Sequence, residues 1–170
     1  MASAKQRVDP ALSDKPTSSD NEIGFGSDAI AEQLSRLDLK YIALVPGSSY
    51  RGLHDSIVNY KGNTNPEMLV CLHEEHAISI AHGYGKITGK PMAAGLHANV
   101  GLMHASMAIY NAFTDRIPML ILGATGPLDA TNRRPWIDWL HTAQDQAALI
   151  RHFIKFDDQP HSPNAVDRQT

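Results

Sequence analysis

The sequence predicts a doubly wound α/β domain, in which helices cover both faces of a parallel sheet. Short runs that are almost entirely apolar recur along the chain, as in strands that are buried on both faces. Stretches of roughly 10 to 15 residues with helical spacing of apolar side chains separate these runs. Because parallel strands are joined by right-handed crossovers, this alternation places helices on both sides of the sheet.

The chain begins with a segment that has little apolar surface to bury. Residues 1–22 are predicted to be a disordered leader, followed by a domain that covers 23–160. A helix is predicted to start at Ser27 as its N-cap, because apolar residues then recur at helical spacing. These residues are Ile30, Leu34 and Leu37. The apolar run 41–45 predicts the first strand.

A second helix is expected after the break at Pro46 and Gly47, with Ser48 or Ser49 as its cap. Its apolar residues are Leu53, Ile57 and Val58. Three further apolar runs predict strands at 68–72, 91–96 and 118–122. Helical spacing predicts helices from residue 74 onward and over 101–112, so that helices and strands alternate.

The end of the chain is less regular. Residues 128–140 show no clear period and contain both tryptophans, which favours an irregular excursion. A last helix is predicted at 142–150 and a last strand at 153–156. Residues 161–170 resemble the start of a truncated helix or a linker.

Composition indicates one domain and excludes several classes of function. The 170 residues, 42% of them hydrophobic, are enough for a single core, and the net charge of -3 gives no footprint for nucleic acid or an anionic membrane. Cys71 is the sole cysteine and lies in an apolar run, so we expect a buried thiol in a reducing compartment. No secretory leader or membrane span is recognisable, which favours a soluble, cytoplasmic protein.

Polar residues follow the predicted strands at the positions where parallel sheets bind ligands. Glu74 falls where a strand changes into a helix, and His97 comes directly after the next strand. Sequential strands are usually neighbours, so we expect both residues to share one edge of the sheet with the turn Pro46-Gly47-Ser48. A carboxylate, an imidazole and a hydroxyl form an acid/base set. The alternative is structural, since a helix N-terminal carboxylate and a lone histidine also serve stability.

Other motifs do not predict a site. The histidines between positions 73 and 104 lack the HExxH spacing or a cysteine cluster, so no metal site is predicted. Gly89-Lys90 lacks the glycine and the hydroxyl residue of a phosphate-binding loop. Gly83-Tyr84-Gly85 has no third glycine and lies within a helical pattern, so it is not a dinucleotide fingerprint.

A set of motifs from residue 26 to residue 160 resembles a known family. In chain order these are Val45-Pro46-Gly47-Ser48, His73-Glu74, Gly83-Tyr84, Gly89-Lys90-Pro91, Leu96-His97 through Gly101, and Asp115-Arg116-Ile117-Pro118. As a set they are similar to the pyrimidine-binding (PYR) domain of thiamine diphosphate enzymes of the acetolactate synthase and benzoylformate decarboxylase group. The resemblance implies a thiamine diphosphate-binding fold of the PYR type.

The resemblance also implies roles for residues. Glu74 matches the activating glutamate that bonds the pyrimidine N1′ and promotes loss of the thiazolium C2 proton. His97 and Ser48 match positions where benzoylformate decarboxylase handles the substrate carboxylate and protons. Pro46, Gly47 and His97 join Glu74 as expected cofactor contacts. Residues 96–101, Leu-His-Ala-Asn-Val-Gly, depart from the Thr-Ser-Gly-Pro-Gly stretch of acetolactate synthase, which favours a decarboxylase-like or lyase-like pocket.

The resemblance further implies that this chain supplies half of a site. In the family a Gly-Asp-Gly signature of a separate domain holds the diphosphate and its Mg²⁺, and no such signature occurs in these 170 residues. We therefore expect a diphosphate-binding domain of the same or another chain as partner, a 2-oxo acid as substrate, and a homo-oligomer. The chain is either one subunit of a two-chain enzyme or, as its last residues favour, part of a longer polypeptide; alone it is expected to be inactive.

Three interpretations remain at this point. The chain is a component of a lyase or carboligase, or it is a noncatalytic interaction or regulatory module that retains the fold. A flavodoxin-like binding domain is a third, less specific interpretation.

Overall fold

The computed structural model describes residues 14–16, 22–162 and 164–166, and it contains a four-stranded parallel sheet. The strands are β1 (Tyr41–Leu44), β2 (Glu67–Val70), β3 (Met92–Gly95) and β4 (Met119–Leu122). Their order across the sheet is β2-β1-β3-β4, and every neighbouring pair is parallel. The predicted doubly wound α/β class is confirmed.

Four helices flank this sheet. They are α1 (Gly26–Arg36), α2 (Arg51–Asp55), α3 (Glu74–Thr88) and α4 (Ala98–Thr114). A 3₁₀ turn, Ser48–Tyr50, leads into α2, and a π-helical turn, Ser56–Tyr60, continues it. Tyr50, the last residue of the 3₁₀ turn, is buried. Its hydroxyl donates a hydrogen bond of 2.5 Å to the carbonyl of Leu122. That bond ties the loop after β1 to the end of β4.

Each face of the sheet has its own hydrophobic core. On one face α3 and α4 pack against inward side chains of the sheet, with Ala43, Ala77, Ala81, Ala94, Ala105 and Ala108 among the buried residues. On the other face α1, α2 and the π-helical turn pack against larger side chains, including Ile42, Leu44, Ile57 and Met68. Small side chains allow helices to lie close to a sheet, so α3 and α4 pack closely on this face.

The predicted helix caps near the N-terminus are wrong. Phe25, not Ser27, occupies the N-cap of α1, and the Asp28 carboxylate accepts hydrogen bonds from the amides of Gly24 and Phe25 at 3.0 and 2.8 Å. A carboxylate three residues into a helix satisfies these amides better than a hydroxyl at the cap itself. Neither Ser48 nor Ser49 caps α2, because the chain enters it through the 3₁₀ turn.

Two predicted elements near the C-terminus are also wrong. Residues 142–150 contain only a short 3₁₀ turn, Ala147–Leu149, and residues 153–156 form no strand in the described structure. The Arg151 guanidinium bonds the carboxylates of both Asp145 and Asp157, which favours a compact turn over extended chain. The irregular excursion at 128–140 is confirmed: it contains two 3₁₀ turns, Ala130–Asn132 and Asp138–His141, the second ending one residue beyond it.

Several other expectations concern the ends and the surface of the molecule. Most of the predicted leader, 1–22, lies outside the described residues, and within 161–170 residues 164–166 are helical. Cys71 is buried as predicted, and its burial raises the pKa of the thiol. In the described part of the chain, none of the helices has the length and apolar character needed to cross a bilayer.

Two glycines of α3 provide a matched test of this packing. A Cβ at Gly85 would lie 2.3 Å from Ile117 Cγ2, whereas a Cβ at Gly83 would meet nothing within 4 Å. We predict that Gly85→Ala lowers the free energy of unfolding by about 1 to 3 kcal/mol through overpacking. Gly83→Ala should raise it by about 0.5 to 1 kcal/mol, because alanine favours the helix. Urea unfolding of both variants measures this, and a Gly85 variant as stable as the Gly83 variant would contradict the packing described.

Candidate functional site at the carboxyl edge of the sheet

The polar residues that follow the strands meet at one edge of the sheet. The prediction that the second and third strands are neighbours is wrong, because β1 lies between β2 and β3. The shared edge nevertheless exists, since all strands run parallel and their carboxyl ends coincide. Central β1 places the turn Pro46-Gly47-Ser48 between the segments that carry Glu74 and His97.

Glu74 is the first residue of α3, directly after the segment that follows β2. Its side chain is buried, with 9% relative exposure, and among the described residues its carboxylate forms no hydrogen bond or ion pair. Gly101 of α4 makes room for it, because a Cβ there would lie 2.8 Å from Glu74 Oε1 and 2.9 Å from Cγ. The neighbouring Glu75 is exposed, and its amide donates to His73 Nδ1 at 3.2 Å. The two adjacent carboxylates therefore lie in different environments.

His97 is the N-cap residue of α4, after the end of β3. Its ring packs onto Gly47, where a Cβ would lie 2.6 Å from His97 Nδ1, so only glycine fits at that position without displacing the ring. The next residue, Ala98, has φ of +46°, a left-handed conformation that is strained for alanine. Backbone strain of this kind persists where the surrounding packing enforces it, and Ala98 is fully buried.

The charge of His97 is set by three influences. Burial lowers the pKa of the imidazole most strongly, and the nearby charge of His141 lowers it further. The Glu74 carboxylate acts in the opposite direction and raises it. His97 Nδ1 is buried and has no hydrogen-bond partner in the described structure, which also disfavours a protonated ring because a second N–H would remain unsatisfied.

His141 is a site residue that the sequence did not reveal. It ends the 3₁₀ turn Asp138–His141 in the irregular excursion, and its ring centroid lies 4.9 Å from that of His97. No periodic pattern marks it. Arg134 and Asp138 were a weak signal, because oppositely charged residues four positions apart can pair and fix a local turn outside a helix.

The other predicted residues of the site lie on the loop after β1. Pro46 and Ser48 are exposed, and Gly47 is half-buried between them. Pro46 and Gly47 also line a cavity of about 500 Å³ that extends toward α2, with Arg51, His54 and Asp14 among its other lining residues. Glu74 and His97 do not line this cavity. The structure thus brings Glu74, Gly47 and His97 together, while Pro46 and Ser48 lie at the mouth of the site.

A separate group of histidines lies beside the site. His104 Nδ1 is 3.0 Å from His73 Nε2, and the His73 and His76 rings are 5.5 Å apart. Within the described ranges, no group of three or more His, Cys, Asp or Glu side chains is arranged to hold a metal ion.

Comparison with known proteins identifies the family. The sequence profile described as "Thiamine pyrophosphate enzyme, N-terminal TPP binding domain" matches residues 25–149. The chain belongs to this family. The matched region of this thiamine pyrophosphate-binding domain contains every residue of the site, from Pro46 to His141, and thiamine pyrophosphate, which is the same compound as thiamine diphosphate, is its cofactor.

Individual relatives are similar over part of their length. Acetolactate synthase large subunit of Lactococcus lactis is 31% identical over 116 residues, which are 68% of this chain and 18% of the relative. A probable 2-ketoarginine decarboxylase of Pseudomonas aeruginosa is 26% identical over 142 residues, 81% of this chain and 24% of the relative. This domain therefore spans about a fifth to a quarter of the length of those relatives.

Solved structures agree with the fold. Benzoylformate decarboxylase of Polynucleobacter necessarius superposes with a TM-score of 0.66 at 21% identity, over 84% of this chain and 26% of that one. The thiamine diphosphate-dependent 4-hydroxybenzoylformate decarboxylase of Rhodococcus jostii gives a TM-score of 0.65 at 19% identity, over 85% of this chain and 27% of that one. The recognition from sequence motifs and the predicted PYR-type fold are thus confirmed.

The ion pair that holds the His141 turn in this thiamine pyrophosphate-binding domain gives a prediction about acid stability. Hydrogen bonds from the Arg134 side chain, more than any other influence, lower the pKa of the Asp138 carboxyl. A carboxyl with a lowered folded-state pKa stabilises the fold above its unfolded pKa, near 3.9, and this contribution disappears as pH falls through the folded pKa. Asp138→Asn lacks the contribution, so its free energy of unfolding should fall less between neutral pH and about pH 3.

Urea unfolding at both pH values measures this difference. Arg134→Gln and the double variant complete a mutant cycle, which should show that the two substitutions are not additive at neutral pH. An equal loss of stability on acidification in the wild type and Asp138→Asn would contradict the assignment.

Proposed function

We propose that this chain is the pyrimidine-binding half of a thiamine diphosphate-dependent enzyme that decarboxylates or ligates 2-oxo acids, with Glu74 as the residue that activates the cofactor. The observation that carries the proposal is the placement of Glu74. The Glu74 carboxylate belongs to a side chain that is 9% exposed, and it forms no hydrogen bond with the described residues, so its oxygens remain able to bond a ligand. At the carboxyl edge of a parallel sheet it is suited to bind a ligand.

The residues at this edge fit an aminopyrimidine ring. Glu74 Oε1 lies against the backbone of Gly101, so the carboxylate is held in place by close packing while its oxygens remain available. A carboxyl group in this position can donate a hydrogen bond to a ring nitrogen and exchange a proton with it. When bound, thiamine diphosphate supplies a thiazolium carbon that adds to the carbonyl group of the substrate.

The neighbouring residues support the substrate side of this proposal. His97 is held neutral by its burial, and a neutral imidazole can accept or deliver a proton near pH 7. Gly47 allows His97 to approach the backbone closely, and Pro46 shapes the same turn. Ser48 places a hydroxyl at the exposed mouth of the site, where it can donate to a substrate carboxylate.

The relatives favour a 2-oxo acid as substrate. Acetolactate synthase, 2-ketoarginine decarboxylase and the two benzoylformate decarboxylases are named for products or substrates of 2-oxo acid chemistry. Residues 96–101 carry an imidazole at the N-cap of α4, which favours a decarboxylase-like or lyase-like pocket over that of acetolactate synthase. A noncatalytic module that retains the fold is the competing function, and the variants below distinguish the two.

We infer that a second domain completes the site. These 170 residues contain no Gly-Asp-Gly signature, so the diphosphate and its Mg²⁺ would be held by a diphosphate-binding domain outside them. Trp136 and Trp139, which are 73% and 68% exposed beside the His141 turn, are suited to contact with that domain or with a second copy in a homo-oligomer.

Glu74→Gln tests the activating role in the complete enzyme, in which this chain is combined with its diphosphate-binding domain. Glutamine keeps the size and a hydrogen bond of the side chain but cannot transfer a proton, so the fold and most cofactor affinity should survive. Exchange of the thiazolium C2 proton, followed by NMR, should slow by roughly 10²- to 10⁴-fold.

Glu75→Gln is the matched control, because the neighbouring carboxylate is exposed and lies at the same helix terminus. It should change stability by about a few tenths of a kcal/mol and leave exchange almost unaffected. Equal exchange rates in both variants, or a larger loss in the Glu75 variant, would show that Glu74 is not the activating residue. Exchange no faster than in free thiamine diphosphate, in the wild type as well as in both variants, would favour the noncatalytic module.

The chain by itself is predicted to bind thiamine diphosphate weakly and to leave 2-oxo acids unchanged. All charge-assisted contacts to the diphosphate would be missing, and these contribute much of the affinity for such a ligand. Isothermal titration calorimetry with Mg²⁺ should therefore show a Kd weaker than about 1 µM, a free energy of roughly -8 kcal/mol. Tighter binding by this chain alone would contradict the half-site proposal.

A further inference from the structure

Two imidazoles from different elements lie together at the edge of the site. His97 belongs to the start of α4 and His141 to the end of a 3₁₀ turn, and their ring centroids are 4.9 Å apart at an interplanar angle of 56°. At this separation two positive charges repel strongly in a partly buried environment. A positive charge on His141 therefore disfavours protonation of His97.

The turn that carries His141 is fixed by polar contacts rather than by a core. The Asp138 carboxylate accepts hydrogen bonds from the backbone amide and guanidinium of Arg134 at 2.6 and 2.9 Å. Thr142 Oγ1 donates to the carbonyl of Asp138 at 2.7 Å, and the amide of Gly126 donates to the carbonyl of His141 at 3.1 Å. A Cβ at Gly126 would lie 2.5 Å from Thr142 Oγ1, so the close approach depends on glycine.

These contacts also determine which nitrogen of His141 carries a proton. His141 Nδ1 is 2.9 Å from the carbonyl oxygen of Ile137, and a carbonyl only accepts, so Nδ1 is the donor. Nε2 is then the ring nitrogen that carries the lone pair. A fixed tautomer is typical of histidines whose role depends on orientation.

We propose that His141 is a positioning residue of the site, which packs against His97 so that the two imidazoles together carry at most one positive charge near neutral pH. One positive charge suits the single carboxylate of a 2-oxo acid and leaves the other ring able to accept a proton. This consequence rests on the proposed function. The coupling between the two rings does not depend on the proposed function.

Other charged groups face the pair and act on it. Glu74, at the start of α3, favours protonation of His97, whereas burial opposes it. Asp138, in the same turn as His141, is already paired with Arg134, which reduces its influence on the imidazole. Removing His141 therefore leaves burial and Glu74 as the main influences on His97, and the pKa of His97 should rise.

The test is an NMR titration of the histidine Cε1–H signals in the full chain, with His97→Gln to assign the signal of His97. In the wild type the His97 signal should show two steps, because His97 senses the charge of His141. In His141→Gln the midpoint of His97 should rise by roughly 0.5 to 2 pH units, the range that unit charges at this distance produce between aqueous and protein-like screening.

His104→Gln is the matched control, since it disrupts another pair of histidines, His73 and His104, beside the site. It should leave the midpoint of His97 unchanged. A midpoint that stays or falls in His141→Gln, or that moves equally in His104→Gln, would overturn the proposal. If His141→Gln does not fold, single-step titration of His97 in the wild type would overturn it as well.

Kinetic measurements on the complete enzyme distinguish this proposal from the proposed function. If both are correct, the pH profile of kcat/KM for a 2-oxo acid should shift to higher pH in His141→Gln by the same amount as the NMR midpoint. Coupled titration with no turnover of any 2-oxo acid by the complete enzyme would retain the histidine pair and reject the proposed activity.

Discussion

Close approach of glycine backbone to two polar side chains is the constraint on which this site depends. Gly101 leaves space for the Glu74 carboxylate, and Gly47 leaves space for the His97 ring. In each case a Cβ would lie less than 3 Å from the side chain, well inside normal contact distance. The two pairs join the loop after β1 to α4, and α4 to α3, so the site links three crossovers of the sheet through contacts that no larger residue permits.

The rest of the fold brings these backbone segments close enough together. Alanines of the sheet and of both helices line the interface between the sheet, α3 and α4, so the two helices pack closely on the sheet and on each other. The opposite face carries larger side chains, which bury a second apolar core away from the site. This division of the two faces explains how a small domain combines a stable core with a precisely shaped edge. It also explains the strain at Ala98, which is enforced by full burial at the junction of β3 and α4.

The sequence predicted the features that depend on periodicity and on local order. All four strands of the described sheet, the helix after Glu74 and the helix after His97 follow from apolar spacing, and the shared edge follows from parallel strands. The order of the strands did not follow, because the preference for sequential neighbours gave way to a crossover that places β1 in the middle. The last predicted helix and strand failed for a different reason: the ion pairs of Arg151 hold a turn that apolar spacing does not reveal.

His141 shows the same limit at the site itself. Its position depends on hydrogen bonds within the excursion, among Arg134, Asp138 and Thr142, and on a contact with His97 that is distant in sequence. Contacts of this kind follow no periodic pattern in the sequence. The sequence therefore shows which residue types are present but not which of them lie in contact. Because these bonds include a carboxylate that must be ionised, the placement of His141 is linked to the charge of Asp138. Acidification would therefore disturb the site twice, by protonating His97 and by loosening the turn that holds His141 beside it.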